Sequence, residues 1–410
     1  MKRSPIPSPS SPGFWRSPLR GPWFTSVLGV ALLGGITVLF VTGLVSYAAY
    51  NPNLSPVNDK TPDKGILGFY LFSWPTDPHW LYRLNQGVHV TLGITLIPVL
   101  LAKLWSVVPR LFALPPARSL AHAAERISLL LLVGGALFEF VTGVLNVQLD
   151  YVFPGSFYPL HFYGAWVFFA AFVAHAVLKM PVALRNLRQL REEKNDLVAP
   201  EPAEPTVSRR GALWFVGGGS LLLFATTVGQ NFDGWLRRTA VLAPHGGAEP
   251  ASGPGGFQIN KTAAHVGIDA AETSEDVWRL TVTGRTGTVR LTRADLLQLP
   301  LHSAALPIAC VEGWSTSDQW WRGVRLRDLA ALVGYDDPTD VFVESLQRRG
   351  AFRRAALRAN QVADPRSLLA LFVNGEDLTP DHGHPARVIV PAAPGVLNTK
   401  WVARMTFGDL

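Results

Sequence analysis

The stretch Pro307-Ile308-Ala309-Cys310-Val311-Glu312-Gly313-Trp314 contains the only cysteine among 410 residues, and it decides how the C-terminal part of the chain is interpreted. A short apolar run ends in this thiol, and a glycine and a tryptophan follow. A single free cysteine is most often a small buried apolar residue. A thiolate is also a soft ligand for a transition metal, so both interpretations of Cys310 are open. One cysteine excludes an intrachain disulfide and a cysteine-ligated iron–sulfur cluster.

Composition separates an apolar N-terminal half from an ordinary C-terminal part. Hydrophobic residues make up 48% of the chain and charged residues only 16%, a balance that favours membrane segments. Apolar runs lie at residues 24–50, 85–107, 126–147, 157–180 and 212–228. The longer runs suffice to cross a hydrocarbon core of about 30 Å. The sequence therefore predicts a membrane all-α helical bundle of five spans.

Basic residues set the orientation of these predicted spans. The net charge is +7, but the bases lie near span ends, so they predict topology and no binding to nucleic acid. Arg110 and Arg118 follow the second run, and the loop after the fourth run carries bases from Arg185 to Arg210. This pattern places the N-terminus on the cytoplasmic side of the cell membrane, which we expect to be that of a bacterium, and the C-terminal domain on its extracytoplasmic side. The lipid bilayer is thus one predicted partner.

Histidines in the second and fourth spans are candidate haem ligands. His161 and His175 are 175 − 161 = 14 positions apart, which returns to nearly the same helix face about 21 Å further along. His89 lies at the depth of His161, so these two are expected to face each other and to ligate one haem iron. His175 is expected to meet Lys103, at a five-coordinate haem, a quinone-binding group or an interface. The alternative is that these histidines only form polar contacts between helices, although ionisable groups inside a bilayer are rarely idle.

A short internal repeat accompanies the histidines. Phe40-Val41-Thr42-Gly43 recurs as Phe140-Val141-Thr142-Gly143, each time before a histidine-bearing span. It indicates either a duplicated hairpin or a chance likeness between apolar segments. Glu139, in the middle of the third span, is either a proton relay or a hydrogen-bonded structural acid. Residues 24–180 resemble four-helix b-type cytochrome membrane subunits, and the resemblance implies haem b and electron exchange with a quinone or quinol.

A possible export signal precedes the fifth span. Ser208-Arg209-Arg210-Gly211-Ala212-Leu213-Trp214 resembles a twin-arginine motif, but it departs from that motif at Ala212 and Trp214, where Phe and Lys are preferred. Two arginines before a helix also serve as ordinary positive-inside anchors. The predicted segments are a disordered cytoplasmic tail at 1–23, a cytochrome-like membrane domain at 24–180, a cytoplasmic loop at 181–211, a fifth transmembrane helix at 212–230, a flexible linker at 231–256 and a C-terminal domain at 257–410.

The C-terminal domain has the pattern of an α+β fold. Residues 277–284 alternate like a strand, residues 287–291 form the expected hairpin partner, and Thr292 begins a short helix. The cysteine stretch is interpreted as the next strand. Further strands are predicted around residues 341–343, 368–372 and 388–390.

Four motifs in this domain resemble the molybdopterin-binding domain of the sulfite oxidase family, which includes periplasmic methionine-sulfoxide reductases. They are Cys-Val-Glu-Gly-Trp at 310–314, Trp-x-Gly-Val-x-Leu-x-Asp-Leu at 321–329, Asn-Gly at 374–375 with His-Gly-x-Pro-x-Arg at 382–387, and Lys-Trp-Val-x-Arg at 400–404. The resemblance implies a molybdenum cofactor whose metal is bound by Cys310 beside the pterin dithiolene and oxo groups. The implied partners of the pterin and its phosphate are Arg387, His382 and Lys400, with Asn374, Asn260 and Lys261.

Some of these residues have plainer explanations, and the chain departs from the family in places. Asn374-Gly375 is also a typical hairpin turn, and Arg387 could be a surface base. No second all-β dimerisation domain follows. Residues 347–354 are unusually basic where relatives often carry an aromatic residue facing the substrate; these arginines either favour an anionic substrate or are solvated.

Together these patterns predict a membrane-anchored molybdenum-dependent oxidoreductase. It would act on a small molecule outside the cytoplasmic membrane and exchange electrons with the quinone pool through haem b. One alternative is a membrane b-type cytochrome whose outer domain is a non-catalytic binding module. Another is a molybdenum enzyme whose membrane part is only an anchor.

Overall fold

The computed structural model describes residues 14–50, 69–112, 119–147, 157–188, 201–243, 254–348 and 352–410, with residues 9, 67 and 199. They form two compact units. The first consists of Met1–Val41, Thr91–Leu145 and Leu160–Ala225, and the second of Thr42–Val90, Asn146–Pro159 and Thr226–Leu410. Most of the predicted cytoplasmic tail, and residues 189–198 of the predicted cytoplasmic loop, lie outside the described residues.

Five long helices occupy the N-terminal part of the described chain. They are α1 (Pro22–Tyr50), α2 (Leu81–Leu111), α3 (Leu120–Asn146), α4 (Tyr158–Arg188) and α5 (Arg209–Ala225). By length and composition, the five apolar helices predicted from the sequence can each cross a membrane. α2 and α4 extend beyond their apolar runs, to Leu111 and Arg188, through last turns that contain Arg110 and Arg185.

The helices of the first unit pack through large apolar side chains and, at one point, through a glycine. A buried apolar cluster joins four of them through Leu32, Ile36, Leu100, Ala136, Phe168 and Phe172. The ring of Phe40 stacks on that of Phe169, with centroids 3.7 Å apart. A Cβ atom on Gly35 would lie 2.4 Å from Leu96, so glycine permits this close approach of α1 and α2.

The C-terminal part of the second unit contains two mixed layers of strands and short helices. The strands are β1 (Leu280–Gly284), β2 (Gly287–Leu291), β3 (His302–Leu306), β4 (Gln319–Arg325), β5 (Val341–Ser345), β6 (Arg354–Leu357), β7 (Leu368–Val373), β8 (Glu376–Asp377), β9 (Arg387–Ile389) and β10 (Val402–Phe407). The short helices are α6 (Ala263–Val266), α7 (Arg293–Gln298), α8 (Leu326–Ala331) and α9 (Ala359–Ala363).

Each sheet contributes one face to a common core. The first sheet has the order β2-β1-β10-β5-β6, with β1 and β10 parallel, and the second has the order β3-β4-β7-β8, with β9 also paired to β7. Val282, Val343 and Met405 of the first sheet share one buried cluster with Val324 and Leu369 of the second. Sheets with short helices agree with the α+β pattern predicted from the sequence.

The C-terminal end of α1 and the N-terminal end of α2 belong to the second unit, so the compact units divide the chain differently from the predicted membrane domain at 24–180 and separate domain at 257–410. Tyr50, at the end of α1, is 1% exposed and lies in the same core cluster as Trp278. The indole of Trp74 donates a hydrogen bond of 2.8 Å to the carbonyl of Ala392. Hydropathy could not predict that these helix ends are buried in the second unit, because an apolar sequence is equally suited to contact with lipid and to contact with protein.

The predicted flexible linker at 231–256 is described only at its two ends. Residues 231–243 are described, and they include a 3₁₀ helix at Gly234–Thr239. Arg237 in this helix is buried and donates a hydrogen bond to the carbonyl of Ser315. The carbonyls of Pro254 and Gly255, at the other end of the segment, accept hydrogen bonds from Asn374 and from the ring of His382. The stretch 244–253 lies outside the described residues.

Gly323 in β4 provides a stability prediction. A Cβ atom there would lie 2.0 Å from the carbonyl oxygen of Leu369, where β4 and β7 shift register. We expect Gly323→Ala to destabilise the protein by about 1–3 kcal/mol, as overpacking does. The midpoint of thermal unfolding should then fall by several degrees, at about 2–4 °C per kcal/mol for a domain of this size. Gly217→Ala, where nothing lies within 4 Å of the added atom, is the control. An unchanged midpoint in Gly323→Ala would contradict the packing argument.

Candidate active site

Cys310 lies in a tight loop after β3, and not in a strand as predicted. The amide of Cys310 donates to the carbonyl of Trp314, and the amide of Gly313 donates back to the carbonyl of Cys310. Gly313 has a φ of 95°, which favours glycine over any other residue. Two opposed hydrogen bonds and a left-handed glycine thus fix the backbone on both sides of the thiol.

The thiol itself is buried and points to a polar neighbour. Cys310 is a free cysteine with 3% of its surface exposed, and the Nδ2 atom of Asn260 donates to its Sγ atom at 3.5 Å. Burial, followed by the nearby Glu312, raises the pKa of Cys310 well above its ordinary value. The thiol is therefore protonated at neutral pH unless a metal ion displaces the proton, as ligation does.

A pocket opens over Cys310 and collects most of the residues predicted from the sequence. Six of the seven predicted molybdenum and pterin residues line it, and these are Cys310, Asn260, Lys261, His382, Arg387 and Lys400. The polar or aromatic lining residues that sequence reasoning missed are Gln258, Trp314, Gln347, Phe352, Asn398, Thr399 and Trp401. Asn398 and Thr399 directly precede Lys400 in the sequence, and this position beside a predicted cation could have indicated that they line the pocket.

Arg387 and Lys400 bring positive charge to this pocket without a matching acid. Arg387 donates to the carbonyl of His382 at 3.2 Å, and Lys400 donates to the carbonyls of Lys261 and Asp381. Within the described ranges, neither forms a salt bridge with a carboxylate. Burial lowers the pKa of Arg387 to about 9, and burial followed by the charge of Arg387 lowers the pKa of Lys400 well below its ordinary value. Such a pair of buried bases is suited to an anion.

Several buried polar atoms around the same pocket lack a hydrogen-bond partner in the described part of the chain. They are Arg387 Nε, Gln258 Oε1, Asn398 Nδ2 and Thr399 Oγ1. The amide of Asn398 is held in place, because its Oδ1 atom accepts from the amide of Val390 at 3.0 Å. Buried polar groups are normally satisfied, so these donors and acceptors fit a polar ligand. The residues present therefore fit a molybdopterin cofactor, with a thiol for the metal and donors for a phosphate.

His382 is fixed as a neutral ring at the edge of the pocket. Its Nε2 atom lies 2.8 Å from the carbonyl oxygen of Gly255 and donates to it, and its ring stacks on Phe257 at 3.9 Å between centroids. Burial lowers the pKa of His382 to about 4, so the ring is neutral at pH 7. Its Nδ1 atom is then an acceptor, which suits an N–H group of a pterin better than a phosphate.

Asn374 is the predicted residue that does not line the pocket. Its side chain donates to the carbonyl of Pro254 and to Gln319, and it accepts from the amide of Trp320. With a φ of 50° it begins the turn between β7 and β8, so the hairpin interpretation describes its position. In the basic segment, exposed Arg348 pairs with Glu272, while Phe352 contributes an aromatic ring to the pocket.

Replacing Arg387 with methionine should separate stability from cofactor binding. An unpaired buried guanidinium destabilises the cofactor-free domain, whereas a thioether of similar length does not. We expect Arg387→Met to leave the thermal midpoint of the cofactor-free protein unchanged or higher, and to abolish most retention of the pterin. Arg404→Met, at an exposed base paired with Glu344, is the matched control. If Arg387→Met were less stable than the unaltered protein without cofactor, yet retained the pterin when the host supplies it, Arg387 would be only structural.

His89 of α2 and His161 of α4 each contact one copy of the internal repeat. Thr42 Oγ1 lies 2.9 Å from the Nδ1 atom of His89 in the second unit, and Thr142 Oγ1 lies 3.0 Å from the Nδ1 atom of His161 in the first. Cβ atoms on Gly43 and Gly143 would each lie 3.3 Å from the Cε1 atom of the corresponding histidine. The repeat therefore supplies the same Thr-Gly contact twice.

The protonation of His161 follows from its partners. Thr142 donates its hydroxyl proton to the carbonyl of Phe138 at 2.7 Å, so the hydroxyl oxygen can only accept from the histidine. Glu139 Oε2 lies 3.1 Å from the same Nδ1 atom. Nδ1 of His161 is thus the N–H donor, and the lone pair of a neutral ring is on Nε2, the atom that would bind a metal ion. This contact of Glu139 with His161 fits both a structural acid and a proton relay.

The ammonium group of Lys103 is hydrogen-bonded to α1. It donates at 2.7 Å to the carbonyl of Thr25 in α1 and lies beside Gly29. The expected meeting of His175 with Lys103 stays a prediction, as does the shared haem of His89 and His161.

Comparison with known proteins agrees with the chemistry of the pocket. Residues 265–409 match the family model described as "Oxidoreductase molybdopterin binding domain". Mitochondrial sulfite oxidase of Rattus norvegicus is 31% identical over 158 residues, which cover 32% of this chain and 29% of that protein. Nitrate reductase [NAD(P)H] of Hordeum vulgare is 38% identical over 94 residues, which cover 21% of this chain and 10% of that protein.

A bacterial relative extends the comparison. The uncharacterized oxidoreductase YuiH of Bacillus subtilis (strain 168) is 30% identical over 131 residues, which cover 32% of this chain and 65% of that protein. The chain thus spans less than two thirds of each of these relatives. Its C-terminal part is a molybdopterin-binding oxidoreductase domain related to sulfite oxidase and nitrate reductase, and this half of the resemblance found in the sequence is confirmed.

Proposed function

We propose, from this molybdopterin-binding oxidoreductase domain, that the protein is a membrane-anchored molybdenum enzyme of the cytoplasmic membrane. It acts on a small molecule on the extracytoplasmic side and exchanges electrons with a quinone or quinol through haem b. The observation that carries the proposal is the pocket over Cys310, where buried bases and unsatisfied polar atoms surround one thiol. Five helices apolar enough to span a membrane support the anchor.

The bound cofactor supplies a metal that changes its oxidation state as an oxygen atom or electrons move to or from the substrate. Cys310 binds the molybdenum through its thiolate and loses its proton on ligation. Asn260 donates to the sulfur, which orients the ligand and reduces its electron density. Arg387, Lys400, Asn398 and Thr399 bind the phosphate, and neutral His382 accepts from the pterin.

The histidines of α2 and α4 are the proposed haem ligands, namely His89, His161 and His175. Contacts at Nδ1 support this role for the first two, because they fix the orientation of each ring, as the outer partners of metal-ligating histidines do. Regular contacts of this kind in both copies of the repeat favour a duplicated ligand hairpin over chance. Haem b needs no cysteine, which agrees with a chain whose single thiol is assigned to molybdenum.

Metal analysis and a visible spectrum of the purified full-length protein test the proposal. The host must make the molybdenum cofactor. We expect near-stoichiometric molybdenum together with haem bands that sharpen on reduction with dithionite or a quinol. Haem without molybdenum would identify a cytochrome with a non-catalytic outer domain. Molybdenum without haem would mean that the membrane part serves only as an anchor. Either result would overturn the proposal in that part.

Thr142→Val tests the role of the repeat in haem binding. Valine keeps the shape of threonine but cannot accept from Nδ1 of His161, so the ring loses one of the bonds that orient it. We expect haem affinity to fall about 10–100-fold, as for other ligand-orienting partners, and the midpoint potential of the haem to rise. Thr37→Val is the control, because the Thr37 hydroxyl also bonds back to its own helix, at Leu33. Equal haem affinity and potential in both variants would contradict an orienting role.

A further inference from the structure

The outer end of α2 lies directly against the loop that holds Cys310. Arg83, Gln86, Gly87 and Val90 are spaced by three or four positions and therefore share one helix face. Each of them contacts either residues 311–315 or Asn231 beside that loop, and all these residues belong to the second unit. This face of α2 therefore packs against the loop that holds Cys310.

Two of these contacts flank Cys310 on its C-terminal side. Gln86 Nε2 donates to the carbonyl of Val311, the residue after the cysteine, at 2.5 Å. A Cβ atom on Gly313 would lie 2.5 Å from the Cβ atom of Val90, so the loop backbone at Gly313 packs directly against the Val90 side chain. Glycine at 313 therefore serves both the left-handed turn and this close approach.

A polar network holds the same loop a little further along. Arg83 donates to the hydroxyl of Ser315 at 3.0 Å and to the carbonyl of Asn231. The Ser315 hydroxyl in turn donates to Asn231 Oδ1 at 3.1 Å, and its carbonyl accepts from buried Arg237. These bonds join the loop to α2 and to Asn231 and Arg237 at several points, which holds the loop in one position on the helix.

Apolar contacts close the other side of the loop. Ala309 and Val311, the neighbours of Cys310 in the sequence, pack in one cluster with Ala48, Ala49, Trp74 and Tyr82. Tyr82 and Ala49 are fully buried there. The residues on both sides of the thiol are therefore packed against the outer ends of α1 and α2.

His89 follows Gln86 by one helical turn and lies between Val88 and Val90. Its ring is directed to α1, where Thr42 and Gly43 contact it. One short helical segment therefore carries both the histidine proposed for haem and the residues that touch the cysteine loop.

We propose that residues 86–90 of α2 form a fixed electron-transfer path between the molybdenum site at Cys310 and the haem site at His89, an inference that rests on the proposed function. Electrons cross this path one at a time, so each transfer oxidises one metal and reduces the other by one unit. No bond in the protein forms or breaks. A quinone or quinol balances two such transfers with two electrons and two protons.

A fixed path differs from a mobile outer domain that docks for each transfer. The Gln86 bond and the contact of Val90 with Gly313 are parts of the folded second unit, so no docking step precedes electron transfer. The rate should therefore depend on the packing at residues 86, 90 and 313 and should change little with ionic strength or solvent viscosity.

Flash reduction of the full-length protein tests this path without a known substrate. A photoexcited flavin reduces the haem, and reoxidation of the haem absorbance reports transfer to molybdenum. We expect Gln86→Leu and Val90→Ala to slow this reoxidation several-fold relative to the unaltered protein. Val88→Ala is the matched control, because it removes the same atoms on the other side of His89 at an exposed position.

The haem and molybdenum contents of every variant are measured first, which separates the two levels of the proposal. Lack of either cofactor in the unaltered protein would overturn the proposed function together with the path. Equal reoxidation rates in all variants that retain both cofactors would overturn the path alone. Val90→Ala removes no hydrogen bond, so it keeps the test decisive if Gln86→Leu does not fold.

Discussion

Cys310→Ser is expected to yield a folded protein that contains almost no molybdenum and shows no oxidoreductase activity. Serine is a hard oxygen donor that stays protonated at neutral pH, so it cannot replace a soft thiolate on the metal. The fold should tolerate the change, because one added buried hydroxyl costs about 1–3 kcal/mol in proteins. The backbone bonds that close the loop at residues 310–314 do not involve the side chain.

Elemental analysis and circular dichroism of the purified full-length protein check this expectation. Ala309→Ser is the matched control, because it introduces a hydroxyl at the next buried position without removing the thiol. Molybdenum should be retained in that variant. If Cys310→Ser kept its full metal content and activity, the thiol would be only an apolar core residue, the plainer interpretation of a single buried cysteine.

The second large effect is expected in the visible spectrum. His89→Ala and His161→Ala should each remove most of the haem that co-purifies with the protein, since each deletes a proposed iron ligand. The partners Thr42, Thr142 and Glu139 would remain but cannot replace an imidazole at the iron. His175→Ala distinguishes the number of haems, because loss of only part of the absorbance would indicate that His175 ligates a second one.

Haem content per protein, measured after extraction, provides the number to compare. His122→Ala, near the start of α3, controls for the general effect of removing a histidine from this helical region. It should retain the haem of the unaltered protein. Full haem content in both His89→Ala and His161→Ala would mean that these rings only join helices through their threonine partners.

The sequence predicted the long helices and six of the residues that line the pocket. Apolar runs of about 20 residues and alternating strand patterns are local signals, and the structure has helices and strands at these places. Arg387 and Lys400 were predicted because they belong to sequence motifs of the family that the domain resembles. Asn374 was placed by the same motifs, but its side chain completes a turn instead of the pocket.

What the sequence could not reveal depends on contacts between distant residues. The close approach of Val90 and Gly313 joins positions more than 200 residues apart, and neither residue carries a polar group to indicate it. The repeat was visible, but its meaning was not, because only the structure shows Thr42 and Thr142 on their histidines. The glycine-rich linker appeared mobile by composition, although Pro254 and Gly255 are acceptors for pocket residues.

Tyr50 at the end of α1 has a consequence for how the molecule is assembled. Its ring fills part of the core that also contains Trp278 and Leu280, and Trp74 is bonded to Ala392 in the same unit. The catalytic domain therefore completes its interior with side chains made early in translation, from segments well before its own first strand. A truncated product beginning at residue 257 would expose the apolar surface that Tyr50 covers, and it should aggregate rather than behave as an independent enzyme.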